Sequence, residues 1–203
     1  MAKPRKGRGA VSNDSGRFEA EKRTPFDDGW GAADEEPVPL TTTLSIDSTR
    51  TIIARNDSPD IGFDRSINPY RGCEHGCIYC YARPSHAYLG LSPGLDFESR
   101  LFYKPQAAEL LAAELRKKGY ACRPIALGSN TDPYQPVERR LGLTRAILEV
   151  LRDFRHPVTI VTKSALIQRD LDILAEMATD RLAIVTVSVT TFDRILARRM
   201  EPR

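Results

Sequence analysis

Three of the four cysteines in this 203-residue chain, Cys73, Cys77 and Cys80, fall within one short stretch, NPYRGCEHGCIYCYARP at residues 68–84. Thiols crowded this way bind metal, pair as a disulfide or do redox chemistry. A structural zinc site needs four ligands, usually two cysteine pairs or a pair with histidines. No second pair exists here, so the fourth ligand would have to be His75, between two of the cysteines, or His86. A disulfide with a spare thiol suits an oxidising compartment. The opening MAKPRKGRGA, however, has no apolar run behind it that could serve as a secretory signal. An iron–sulfur cubane in an ordinary electron carrier takes four thiolates. Three would leave one iron open to a substrate or cofactor, and Gly72 and Gly76 would let the backbone wrap tightly around it.

Such a loop needs a scaffold, and the second half of the chain supplies the pattern of one. KPQAAELLAAELRKKG places Pro105 at a helix start, Ala107, Leu111 and Leu115 on one face, and Gly119 as the stop. PIALGS reads as a buried strand with its exit loop. Leu143, Ile147, Val150, Leu151 and Phe154 repeat at helical spacing. PVTIVTKS is a β-branched strand, and ALIQRDLDILAEMA is a helix with Ile167, Leu171, Leu174 and Ala178 along its apolar side. RLAIVTVSVTT reads as a strand buried on both faces, as in a parallel sheet, and FDRILARRM opens a further helix. Strand and helix alternating with short loops predict a parallel α/β domain. Ligands bind at the strand exits of such folds. Those exits lie at residues 128–132, 162–164 and 188–191, so one site is expected there, with the cysteine loop beside it.

Composition agrees with a globular domain: apolar residues make up 41% and charged residues 28%, enough for a substantial core. No run of about 18 apolar residues suggests a membrane span, and without an export signal the expected compartment is the cytoplasm. Residues 1–60 read as a largely disordered arm, basic at Lys3, Arg5, Lys6 and Arg8 and acidic at Asp27, Asp28, Asp34, Glu35 and Glu36. Within it, residues 41–53 carry β-forming types that suit an edge strand. Residues 61–203 form the expected core. The net charge of +3 does not by itself call for nucleic acid.

The spacing C-x3-C-x2-C, with aromatic Tyr79 before the last cysteine and α/β repeats after it, resembles the radical S-adenosylmethionine (radical SAM) superfamily. The strings SINPYRGCEHGCIYCYAR, GSNTDPYQPVE, TKS and Glu201-Pro202 are similar to the branch related to spore photoproduct lyase, over roughly Ser66 to the C-terminus. The resemblance implies a partial (β/α) barrel. It implies a 4Fe-4S cluster on Cys73, Cys77 and Cys80, with S-adenosylmethionine chelating the fourth iron. One electron, from a donor such as flavodoxin or ferredoxin, then cleaves S-adenosylmethionine to methionine and a 5′-deoxyadenosyl radical that abstracts hydrogen from a substrate. On this reading Tyr79 and Tyr81 pack against the cluster or the adenine, and Lys163 faces the S-adenosylmethionine carboxylate. Ser129, Asn130, Thr131 and Ser188 suit its amino group and ribose.

Two departures qualify the likeness. The family's barrel has six strand–helix units, whereas this chain shows about four, so it reads as truncated or as completed by something absent. Spore photoproduct lyase uses a cysteine near the GSNTDP-equivalent loop as hydrogen donor; here Ser129 stands in that loop and Cys122 lies upstream. Lesion repair is therefore not expected to carry over. The reading from another class is a metal-stabilised nucleic-acid-binding module that uses the basic arm together with Arg139, Arg140, Arg145, Arg152 and Arg155.

Overall fold

The computed structural model describes residues 5–22 and 40–203. A five-stranded sheet forms the frame, in the order β2 (Ala54–Arg55), β3 (Arg65–Ile67), β6 (Ile125–Leu127), β7 (Val158–Thr162), β8 (Ala183–Val187). The β2–β3 pair is antiparallel and the remaining pairs are parallel. Among the described residues this sheet does not close into a barrel. A second, three-stranded sheet sets β5 (Arg100–Tyr103) between β1 (Thr43–Ile46) and β4 (Tyr70–Arg71). The expected edge strand within residues 41–53 is thus β1, but it pairs in parallel with β5 rather than with the main sheet.

The crossover helices follow from local sequence. Helix α1 (Leu95–Ser99) is a single buried turn. In α2 (Ala107–Leu115) the buried residues are Ala107, Leu111 and Leu115, the i, i+4, i+8 stripe that the spacing predicts. Gly142, in the left-handed region at φ 66°, ends α3 (Glu138–Leu141) and begins α4 (Leu143–Asp153). Helix α4 buries Leu143, Ile147, Leu148 and Leu151. Ile147, Leu148 and Leu151 join Ile125, Leu127 and Ile160 from the strands in the main core, while Leu143 packs with Tyr70, Leu101 and Val137 in a second cluster.

The predicted helix starting at Ala165 differs from expectation. A 3-10 turn over Ala165–Asp170 precedes α5 (Leu171–Thr179), and Ser164 caps that turn by accepting from the Leu166 amide. The change of pitch rotates the later residues, so Ile173, Leu174 and Met177 are buried while Leu171 is 56% exposed. A second correction concerns β8. Expected to be covered on both faces, it is exposed at Ile184, Val185 and Val187, because among the described residues only β7 pairs with it and α6 (Arg194–Met200) buries no side chain.

The N-terminal arm also departs from the solvated tail that its composition predicts. Residues 5–22 lie against the core: Arg8 is buried, Ser12 accepts from the Leu95 amide, and Asn13 exchanges hydrogen bonds with Asp96. The physical reason is a buried carboxylate, Glu98, that needs donors and takes them from this segment. Lys3 and the acidic residues Asp27 to Glu36 lie outside the described residues.

Candidate cofactor site

The cysteine loop leaves β4 and folds back on itself through two glycines. Gly72 and Gly76 have φ of 78° and 65°, a region other residues enter only with strain. A side chain on Gly72 would collide with Leu101 and the Phe97 carbonyl, so the turn is built for glycine. The Cys73 amide donates to the Phe97 carbonyl at 2.9 Å and the Glu74 amide to Gln135 Oε1 at 3.0 Å, which anchors the first half of the loop. Cys73 and Cys77 are buried, Cys80 is half-buried and Cys122 is exposed.

All three loop cysteines line one cavity of about 200 Å³. Its other walls come from the exits of β6, β7 and β8: Gly128, Asn130, Thr131, Asp132, Val161, Thr162, Lys163 and Ser188. Tyr79 and Tyr81 stand at the mouth, both exposed. Parallel pairing of β6, β7 and β8 puts their exits at one end of the sheet, which is why distant sequence segments meet here. Ser129 alone among the predicted cofactor residues does not line the cavity. Its hydroxyl accepts from Asn68 at 3.2 Å, and its carbonyl accepts from the Tyr81 hydroxyl.

Two groups absent from the predicted set organise this cavity. Asp132 Oδ1 accepts from the Thr162 hydroxyl at 2.6 Å and the Tyr134 amide at 2.9 Å, and Oδ2 accepts from the Lys163 amide at 2.9 Å. Burial raises its pKa, but His75 and these donors outweigh burial and hold it below the ordinary value, so the carboxylate is ionised. His75 Nε2 lies 3.4 Å from Asp132 Oδ2, an ion-pair distance rather than a made hydrogen bond. Glu201 gathers Lys163 Nζ at 3.2 Å, the Thr190 hydroxyl at 2.6 Å and the Tyr79 hydroxyl. For Lys163, burial lowers the pKa, but Tyr79, Cys77 and Glu201 raise it further and keep the ammonium charged. An acidic residue at a strand exit, as in GSNTDP, was the available signal for Asp132; Glu201 carried none beyond its place in the family string.

Burial pushes both the Cys73 and Cys77 thiols up, with Lys163 opposing the effect at Cys77. Such thiols stay protonated until a metal takes the proton's place, since a coordinating thiol is deprotonated outright. A single tetrahedral zinc requires its ligands gathered about one point. Among the described residues no three His, Cys, Asp or Glu side chains converge in that way. His86, the other zinc candidate, is turned away, with Nε2 at 2.9 Å from the Arg100 carbonyl. A 4Fe-4S cluster, by contrast, distributes its thiolates over separate irons.

The sequence matches the radical SAM superfamily over residues 67–203. The chain belongs to that superfamily. It is 42% identical over 139 residues to an uncharacterized protein of Mycobacterium tuberculosis, covering 68% of this chain and 41% of that protein. An uncharacterized protein of Methanocaldococcus jannaschii is 29% identical over 136 residues, 67% of this chain and 48% of its own length. An uncharacterized protein of Acidianus two-tailed virus is 29% identical over 142 residues, 68% of this chain and 46% of its own length. The chain thus spans less than half the length of these curated relatives. No solved structure matches it. Among the described residues no helix is long and apolar enough to cross a membrane.

Three of the five arginines considered for nucleic acid form ion pairs within the chain. Arg145 pairs with Asp170 and Asp172, Arg152 with Asp153 and Arg155 with Asp180.

Proposed function

We propose that this radical SAM protein holds a 4Fe-4S cluster on Cys73, Cys77 and Cys80 and binds S-adenosylmethionine in the adjoining cavity. The observation that carries the reading is the meeting of three cysteines, a charged lysine and three strand exits around one small cavity. When bound, the cluster and S-adenosylmethionine supply a 5′-deoxyadenosyl radical able to abstract hydrogen from a substrate. The chain's own residues orient and shield this chemistry. Lys163 Nζ presents a fixed positive charge suited to the S-adenosylmethionine carboxylate, and Glu201 holds the ammonium in place. Asp132 ties the exits of β6 and β7 together by bonding both Thr162 and the Lys163 amide. Asn130, Thr131 and Ser188 offer short polar groups along the wall, and Ser129 acts through its bonds to Asn68 and Tyr81. Tyr79 and Tyr81 place rings across the mouth, where they restrict water.

The likeness of SINPYRGCEHGCIYCYAR and GSNTDPYQPVE to the branch of spore photoproduct lyase supports placement near that branch, without its repair reaction. The reaction would need a low-potential electron donor such as flavodoxin or ferredoxin, a requirement that suits the reducing cytoplasm. The deciding experiment is anaerobic reconstitution with iron and sulfide. Wild-type chain and Cys122→Ala are expected to take up four irons per chain, and Cys77→Ala none that survives desalting. With dithionite and S-adenosylmethionine, the loaded protein should release 5′-deoxyadenosine slowly. Full iron loading in Cys77→Ala, or stoichiometric zinc in a colourless wild type, would overturn the proposal.

A further inference from the structure

The geometry points to a strap: we propose that residues 8–13 seat against the back of the cysteine loop, fastened by Glu98 and Arg83 as positioning residues for the cluster. This inference rests on the cluster reading above.

Glu98, in α1, is completely buried, a costly place for a carboxylate without partners. Its partners come from two directions. The Gly9 amide donates to Oε2 at 3.0 Å and the Ala10 amide to Oε1 at 2.8 Å, while Arg83 Nη2 lies 2.5 Å from Oε1. Arg83 reaches onward to the loop itself: Nη2 and Nε donate to the Cys77 carbonyl at 2.9 and 3.2 Å. A chain of contacts therefore runs from the arm, through Glu98 and Arg83, to the backbone of the middle cysteine.

The strap is also shaped to the loop. A Cβ on Gly9 would sit 1.8 Å from the Gly76 carbonyl oxygen, so only glycine passes between arm and loop. Next to it, Arg8 is buried and donates to the Glu98 carbonyl and to Thr42 Oγ1 at 3.0 Å. The Thr42 hydroxyl donates in turn to Glu74 Oε1 at 2.7 Å, within the cysteine loop. On the far side Asn13 clasps Asp96 through both its amide atoms, at 2.8 and 2.9 Å. Two consequences follow. The strap shields the loop face opposite the cavity from water, and the guanidinium beside the Cys77 carbonyl favours the extra negative charge of a reduced cluster.

The test uses the full chain, reconstituted anaerobically, as wild type, Gly9→Val, Arg83→Gln, Arg83→Lys and Gly62→Ala, the last a control whose added methyl meets nothing within 4 Å. The rate of iron loss to a ferrous chelator and the cluster's reduction potential are measured. Gly9→Val and Arg83→Gln should lose iron about tenfold faster than wild type, the scale of one charge-assisted hydrogen bond. Arg83→Gln should also shift the potential to more negative values, Arg83→Lys should restore part of that shift, and Gly62→Ala should match wild type. Wild-type rates and potentials in Gly9→Val and Arg83→Gln would overturn the inference. If Arg83→Gln does not fold, Gly9→Val decides alone, because its side chain enters only the strap–loop contact. If wild type takes up no cluster, the cluster reading fails separately, and the strap is read from tryptic cleavage after Arg8 in the metal-free chain. Cleavage is expected to be slow in wild type and fast in Gly9→Val; equal rates would refute the strap.

Discussion

Replacing Gly72 by Ala should damage both fold and cofactor site, and its cost can be worked from two separable terms. The first is conformational: at φ 78° an L-residue pays about 1–2 kcal/mol. The second is steric, since the new methyl would lie 2.6 Å from Leu101 Cδ2 and 2.7 Å from the Phe97 carbonyl oxygen. Leu101 is fully buried, and the Phe97 carbonyl already accepts from the Cys73 amide, so neither can withdraw freely. Crowding of this kind costs about 1–3 kcal/mol. The sum, about 2–5 kcal/mol, is a large share of the about 5–15 kcal/mol that keeps a domain folded. Gly90→Ala isolates the first term, because Gly90 has φ 66° and open space around its missing Cβ. Urea unfolding of the metal-free chain, followed by circular dichroism, should rank wild type, Gly90→Ala and Gly72→Ala in falling stability. Iron uptake should fail only in Gly72→Ala. A Gly72→Ala protein within about 0.5 kcal/mol of Gly90→Ala, the usual error of additivity, and fully loaded with iron would refute the close-packed cradle.

Lys163→Ala should weaken S-adenosylmethionine binding by about 1–3 kcal/mol, since a charge-assisted hydrogen bond is lost; an unchanged dissociation constant by calorimetry would remove Lys163 from the site. Burial lowers the pKa of both His86 and His156 below the ordinary 6.5, so the native state binds fewer protons than the unfolded chain. Stability should therefore be full above about pH 6.5 and fall as pH drops below it. The urea midpoint between pH 7.5 and 5 should show that fall, with a shallower slope in His156→Gln; an unchanged slope in that variant would refute the linkage. The β8 edge, exposed at Ile184, Val185 and Val187, should drive concentration-dependent self-association. Light scattering that shows a monomer at every concentration would show this edge to be harmless.

Local pattern was enough to read most of the helices and to bring the three cysteines together. The stripe Ala107, Leu111, Leu115 is buried because a helix repeats every 3.6 residues whatever lies around it. The three cysteines sit within eight residues, so any fold of that loop keeps them together. The strand exits shared a cavity because parallel strands put like ends on one side. Other features depended on distant neighbours. The phase of α5 changed because a capped 3-10 turn precedes it, and β8 is exposed because its burial depends on which elements pack over it rather than on its own apolar residues. Most of all, residues 8–13 look like solvated tail by composition, yet a single carboxylate 88 and 89 residues away holds Ala10 and Gly9. Periodic burial is written in neighbouring residues and can be read one turn at a time. The partner of one buried charge is chosen only when the chain returns to it, and that choice belongs to the tertiary structure.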